Sequence, residues 1–278
     1  MALRKKSSCL VAQSHQSPLP LPWLEATLES VADWAALRGY DYRLLDDELF
    51  EFLPGDLNRL LEHQRVVASD LARLLWLRQE LKQGYECVVW ADADLLVFNA
   101  PALHLPRRSY AFGREVWVQW ETRQAQQKHR LKSWKKIHNA FLMFRQGNPF
   151  LDFYVHAAEE LIRQHEGNMV PQLVGPKFLS AIHNLLKCPV IENVASFSPL
   201  VIQDLLAGGG AALDLMLRHS SQPPVAANLC ASSVVRGELS SSDMARVIAQ
   251  LLSVESTAQG RITPGIKLDT DFRCQKSR

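Results

Sequence analysis

Apolar and polar residues follow two periods along this chain, and the two periods alternate. Unbroken apolar runs occupy residues 9–12 and 87–91, which is typical of strands buried in a parallel sheet and predicts strands at 9–13 and 87–91. In residues 24–37 and 66–82 apolar side chains recur every three or four positions, which predicts helices with one face on a core. This alternation predicts an α/β fold with a mostly parallel sheet flanked by helices.

The same patterns, with turn residues between them, predict the remaining elements. They are strands at 40–45, 110–118 and 139–144, and helices at 150–164, 176–186, 211–217 and 243–252. Three glycines at 208–210 predict a flexible joint before a small helical extension. We expect one domain over residues 1–255 and a loose tail over residues 256–278.

Composition narrows the class of protein. The 278 residues are 47% hydrophobic and 22% charged, and the formal charge of +2 argues against a nucleic-acid partner. Five widely spaced cysteines without a C-x-x-C pair indicate reduced thiols. The apolar stretch after Arg4, Lys5 and Lys6 is too short for a signal peptide or a transmembrane segment, so we expect a cytoplasmic enzyme.

The candidate chemistry begins with Asp92-Ala93-Asp94, which directly follows the apolar run at 87–91. Ligands of open α/β sheets bind beyond the carboxyl ends of the strands. Two carboxylates there suit a hard cation, Mn²⁺ or Mg²⁺, whose other ligands are substrate phosphates. A second Asp-x-Asp, Asp269 and Asp271, has no apolar strand before it, and we interpret it as a chance occurrence.

A second candidate pair lies on the predicted helix 66–82. Asp70 and Arg73 are three residues apart and project from one flank of that helix. The carboxylate can accept hydrogen bonds from sugar hydroxyls, and the guanidinium can bind phosphate. An i,i+3 ion pair without further function is the alternative.

The polar stretch 119–136 is rich in lysine and arginine and has three tryptophans, Trp117, Trp120 and Trp134, at or inside its edges. Charge of this density predicts a solvated helical hairpin. Because aromatic rings stack on sugars and lysines attract phosphates, an acceptor lid or a peripheral lipid-headgroup contact is the alternative.

Taken in order, these landmarks resemble the GT-A glycosyltransferases. The landmarks are Ser69-Asp70-x-x-Arg73, Asp92-x-Asp94, His138-Asn139-Ala140-Phe141, Gly147-Asn148-Pro149-Phe150 and Gly175-Pro176, and the resemblance as a whole covers about residues 9–190. The chain is most similar to the capsular-polysaccharide and mannosyltransferase-like enzymes with a DXD sugar-binding region, and distantly to the clostridial glucosylating toxins.

The resemblance implies roles for individual residues. Asp94 would ligate the metal, and Asp92 would contact the ribose or sugar and share the cation. Asp70, Arg73 and Asn139 would hold the donor sugar. Gly175 and Pro176 would shape the pocket wall.

The resemblance also implies a reaction. It is transfer of a sugar, mostly with retention, from a nucleoside-diphosphate donor, commonly a UDP-sugar, to an unidentified carbohydrate, lipid-linked or protein acceptor. The chain departs from the family where many relatives supply a late histidine or tryptophan; here the stretch contains Asn228 and Ser232, which could reach the cation through oxygen.

Two other classes remain open. Phosphatases of the haloacid dehalogenase type also place Asp-x-Asp after an apolar strand, bind magnesium and use the first aspartate as nucleophile, but they usually have Thr or Val where Leu96 stands. A non-catalytic sugar-nucleotide-binding protein is the second alternative, because the late metal ligand is missing.

Overall fold

The computed structural model describes residues 8–123, 128–166 and 168–253, and its centre is a six-stranded sheet. The strands are β1 (Cys9–Ser14), β2 (Asp41–Leu45), β3 (Cys87–Ala91), β5 (Tyr110–Arg123), β6 (Lys128–Arg145) and β7 (Val190–Ile191). They lie in the order β2-β1-β3-β6-β5-β7, and β6 runs against the other five. The mostly parallel α/β architecture expected from the sequence is confirmed.

Helices cover both faces of this sheet. One face packs on α3 (Arg65–Lys82) and α4 (Phe150–Gln164), and the other packs on α1 (Leu24–Leu37). These helices form where apolar residues recur at helical spacing, so that Leu71, Leu74 and Trp76 of α3 are buried. The short α2 (Gly55–Leu60) and a 3₁₀ turn at Asp47–Phe52 precede α3, and α5 (Phe178–Leu186) follows α4.

A smaller sheet joins the region after β3 to the C-terminal part of the chain. It consists of β4 (Leu95–Val97), β9 (Ala226–Asn228) and β8 (Val194–Ser196), in that order. A separate hydrophobic core beneath it contains α6 (Pro199–Leu206), α7 (Ala211–His219) and α9 (Ser241–Ser253), and the short α8 is Ser232–Val235. This core confirms the predicted helical extension. The predicted tail, residues 256–278, and the second Asp-x-Asp lie outside the described residues.

The prediction of a helical hairpin at 119–136 is wrong. β5 and β6 extend into this stretch from its two sides as an antiparallel pair, the β5-β6 hairpin, in register from Gly113 opposite His138 out to Arg123 opposite Lys128. The register shifts between Phe112 and Gly113, where three residues of β6 have no partner on β5. Asn139, which the sequence placed at a strand end, lies in this bulge inside β6.

No single helix in the described ranges is long and apolar enough to cross a membrane. Helices α6 and α7 pass that test only as a pair, and they are bent by 117° at the break between them.

Candidate active site

Asp92 emerges from the carboxyl end of β3 and is held by both backbone and side chains. Its N–H donates to the carbonyl of Ala140 at 2.9 Å, and its own carbonyl accepts from the buried amide of Gln13 at 3.0 Å. Its Oδ1 accepts from the indole Nε1 of Trp90, two residues earlier on the same side of the strand, at 2.8 Å. The carboxylate is therefore oriented before any ligand binds.

Arg73 links helix α3 to the strand ends. Its guanidinium contacts Asp92 Oδ1 at 2.7 Å and Asp70 Oδ1 at 2.8 Å, and it lies 5.2 Å from the centre of the Trp90 ring. It also donates to the carbonyls of Ser69 and Asn139. Four of its five N–H groups therefore have acceptors within the described part of the chain. In this geometry the guanidinium of Arg73 mainly holds the carboxylates of Asp70 and Asp92 in position.

Asn139 completes this network from the bulge of β6. Its amide donates to Asp70 Oδ1 at 2.8 Å, and both side chains are buried. Gly175 lies against them in a π-helical turn, Leu173–Lys177, whose Val174 carbonyl accepts from the buried Tyr154 hydroxyl at 2.8 Å. A methyl group on Gly175 would come within 2.6 Å of Asp70 Oδ2 and 2.7 Å of the Asn139 amide nitrogen. The glycine thus permits the close approach of this turn, and Pro176 follows it, partly exposed.

Asp94 is held by the C-terminal part of the chain. The amide of Asn228 donates to its Oδ1 at 2.6 Å, and the N–H of Ala231 donates to its Oδ2 at 2.7 Å. The Asn228 oxygen accepts from the N–H of Cys230 at 2.9 Å, which fixes which end of that amide faces Asp94. Asn228 thus lies beside Asp94 with its nitrogen, rather than its oxygen, turned to the carboxylate.

Burial shifts the pKa values of the charged side chains in this cluster. It raises the pKa of Asp70 to about 6, against the opposing effect of Arg73. Burial and then the neighbouring Asp92 raise the pKa of Asp94 to about 6. Burial lowers the pKa of Arg73, but Asp92 and Asp70 outweigh it and leave that pKa above its usual value. Three carboxylates thus face one guanidinium, which is a formal excess of acidic groups.

The donor set suits a cation that arrives with a phosphate ligand. No group of three or more His, Cys, Asp or Glu side chains that could hold a metal ion occurs among residues 8–123, 128–166 and 168–253. Two neighbouring carboxylates are nevertheless the protein share that Mg²⁺ commonly uses when substrate phosphates fill its other positions. The formal excess of acidic groups in the cluster is also what a dication would offset. The residues present therefore fit a dication bound together with a diphosphate.

A cavity of about 300 Å³ opens at the carboxyl ends of β1 and β2. Gln13, near the end of β1, contacts the carbonyl of Asp92 and, at 2.9 Å, the Tyr42 hydroxyl. The cavity is lined by His15, Gln16, Ser17, Leu19, Leu44, Leu45, Asp46 and Glu48.

The structure brings together the site residues that the sequence singled out. Asp70, Arg73, Asp92, Asn139 and Gly175 form one connected network, and Asp94 with Asn228 lies next to it.

Sequence reasoning missed three groups. Trp90 and Gln13 sit at strand positions whose period-two spacing could have revealed them. The backbone N–H of Ala231 carries no sequence signal.

Solved structures resemble this chain at low sequence identity. No protein-family model matches the sequence, and no curated protein matches it. A glycosyltransferase involved in the glycosylation of the major capsid of PBCV-1 has a similar structure, with a TM-score of 0.45 and 11% identity over 87% of this chain and 99% of that one. A mannose-1-phosphate geranyltransferase from Thermus thermophilus aligns with a TM-score of 0.31 and 14% identity over 60% of this chain and 67% of that one.

Proposed function

We propose that the protein is a metal-dependent glycosyltransferase that takes its sugar from a nucleoside-diphosphate donor, in the first instance a UDP-sugar. The observation that carries the proposal is the cluster at the end of β3. Three carboxylates and one guanidinium, from helix α3 and the end of β3, meet there, so that acidic groups outnumber the basic one. A diphosphate is too negative to bind such a site alone, but a dication with its diphosphate suits it.

In this proposal the three carboxylates bind different parts of the metal–donor complex. Asp94 and Asp92 hold the cation, with Asn228 keeping Asp94 oriented. Bound Mn²⁺ or Mg²⁺ would supply Lewis-acid stabilisation for the charge that grows on the leaving diphosphate. Asp70 and Asn139, fixed by their mutual hydrogen bond, face the donor sugar beside Gly175 and Pro176. Arg73 keeps these groups in place.

The cavity at the ends of β1 and β2 is the proposed nucleoside site. Its lining begins at His15, two residues after Gln13, and Gln13 contacts the backbone of Asp92. A nucleoside there would direct its diphosphate toward the Asp92 and Asp94 carboxylates. Ligands at the carboxyl ends of parallel strands are the general rule for open α/β sheets.

A thermal-shift experiment tests the proposal. UDP and GDP are added to the native protein with and without Mn²⁺, to Asp94→Ala, and to Asp33→Ala as a control on an exposed part of α1. Because a ligand of the folded state stabilises it in proportion to RT ln(1 + [L]/Kd), we expect a higher Tm only when nucleotide and metal are both present. Asp94→Ala should lose that increase, and Asp33→Ala should keep it.

An increase that survives in Asp94→Ala, or that needs no metal, would contradict the proposal. The product released from each substrate distinguishes a transferase from a phosphatase and from a non-catalytic binding protein. Release of UDP from a UDP-sugar with Mn²⁺ supports a transferase, release of phosphate from sugar phosphates supports a phosphatase with Asp92 as nucleophile, and binding without turnover supports a sugar-nucleotide-binding protein.

A further inference from the structure

The β5-β6 hairpin has two faces with different surroundings. On one face Val116 and Val118 are buried in the C-terminal core, and Leu131 packs against the same core. Ser133 and Lys135 continue this face and bond to His219 and Ser221 at and after the end of α7. This face therefore packs against the C-terminal core and the end of α7.

The opposite face does not pack on a core. Trp117 and Trp134 lie directly across from each other on it, and both are half-buried. Neither ring belongs to, or packs against, any of the three hydrophobic cores formed by the described residues. Large aromatic side chains held outside the cores are candidates for ligand contact.

This open face leads to the candidate active site. At its inner end the imidazole of His138 covers Gly113 and bonds to the carbonyl of Val194. His138 directly precedes Asn139, whose amide bonds to Asp70, so the inner end of this face adjoins the candidate active site. Glu115 comes next, opposite Lys136. Trp117 follows two residues later, roughly 7 Å farther along the strand.

We propose that the open face of this hairpin binds the acceptor, and that the acceptor is a carbohydrate. Trp117 and Trp134 stack on its sugar rings, and Glu115 with Lys136 meets the hydroxyls of the sugar nearest the donor. The role as an acceptor site rests on the proposed function, because only a transferase has an acceptor. Binding of carbohydrate to this face can be measured whether or not the protein is a transferase.

The charges of this face favour a carbohydrate over an anionic membrane. Arg130 and Lys132 both bond to Glu121, and Lys136 lies opposite Glu115. Membrane docking of this kind relies on basic side chains that are available to lipid phosphates. Aromatic rings among paired charges instead match a ligand that offers both apolar C–H faces and hydroxyl groups.

The test compares tryptophans on the two faces of the same hairpin. Trp117→Ala and Trp134→Ala remove the open-face rings, and Trp120→Ala is the matched control, because Trp120 lies on the other face and is 53% exposed. Each variant is applied to a printed array of defined oligosaccharides and to phosphatidylglycerol–phosphatidylcholine vesicles. Circular dichroism verifies folding, and Trp117→Phe tests whether an aromatic ring restores binding.

We expect the native protein to bind a subset of oligosaccharides, and Trp117→Ala and Trp134→Ala to bind them roughly tenfold more weakly or worse. Trp120→Ala and Trp117→Phe should bind nearly as the native protein does. A blank array, equal losses in Trp117→Ala and Trp120→Ala, or vesicle binding that depends on Trp117 and Trp134 would overturn the proposal.

The UDP–Mn²⁺ thermal shift is recorded for the same variants and should be unchanged. A native protein that binds oligosaccharides through Trp117 but gives no UDP–Mn²⁺ response would contradict the proposed transferase and leave the carbohydrate site standing. The reverse result would contradict the carbohydrate site alone.

Discussion

At the scale of single residues, the two aspartates of the Asp92-x-Asp94 pair are held by different parts of the fold. Arg73 and Trp90 bind the carboxylate of Asp92, whereas Asn228 and the Ala231 N–H bind that of Asp94. A cation between them would therefore join the large sheet to the C-terminal loop. Small changes at positions that only support these side chains should affect donor binding.

Gly175 offers such a change. In Gly175→Ala the new methyl group meets Asp70 and Asn139 at less than 3 Å, so the Asp70–Asn139 pair must move. We expect a loss of roughly 1–3 kcal/mol in the free energy of unfolding, as for other overpacked sites, and weaker binding of UDP with Mn²⁺. Gly55→Ala is the control, because a methyl group there meets nothing within 4 Å. Equal urea midpoints for both variants would contradict this account.

His138 predicts a pH effect on stability. Burial lowers its pKa to about 4 from the usual 6.5, so the unfolded chain takes up a proton before the folded one does as the pH falls. Stability that is fully present above pH 6.5 is therefore lost toward pH 4.

His138→Gln should flatten that part of the curve by up to roughly 3 kcal/mol, measured by urea unfolding at several pH values. The exposed His63→Gln should follow the native curve. Parallel curves for His138→Gln and the native protein would refute a buried neutral imidazole.

At the scale of elements, local periodicity predicted what local contacts determine. Helices 24–37 and 150–164 and strand 87–91 have the predicted bounds, because their apolar residues repeat at the spacing of the element. The hairpin was missed because its buried valines alternate with charged and aromatic residues, so that the stretch has the charge density of a solvated segment. The short β7, β8 and β9 depend on partners far along the chain and leave too few residues for a pattern.

The two faces of the hairpin also predict opposite responses to added charge. Val118 is fully buried in the C-terminal core, so Val118→Asp should cost several kcal/mol, since an unpaired carboxylate would lie among apolar groups. Its neighbour Gln119 points to the open face and is exposed, so Gln119→Asp should change stability by about 0.5 kcal/mol or less. Chemical denaturation compares the two, and similar losses would mean that the face assignment is wrong.

At the scale of the whole molecule, the candidate site forms only when the chain is folded. Helix α3, the end of β3, the bulge in β6, the turn before α5 and the loop after β9 all contribute to it. The sequence indicated Asp70, Arg73, Asp92 and Asn139 because each stands at a recognisable place in a motif. The sequence could not show that most N–H groups of Arg73 bond to acceptors within the protein, because those bonds depend on distances between elements.

The central claim is that a dication and a diphosphate bind together at Asp92 and Asp94. Titration of Mn²⁺ followed by electron paramagnetic resonance, with and without UDP, measures this directly. Because the protein supplies only two carboxylates, we expect weak Mn²⁺ binding alone and binding at least roughly tenfold tighter with UDP, with the enhancement lost in Asp94→Ala. Equal Mn²⁺ affinity with and without UDP, or an enhancement that persists in Asp94→Ala, would contradict the claim.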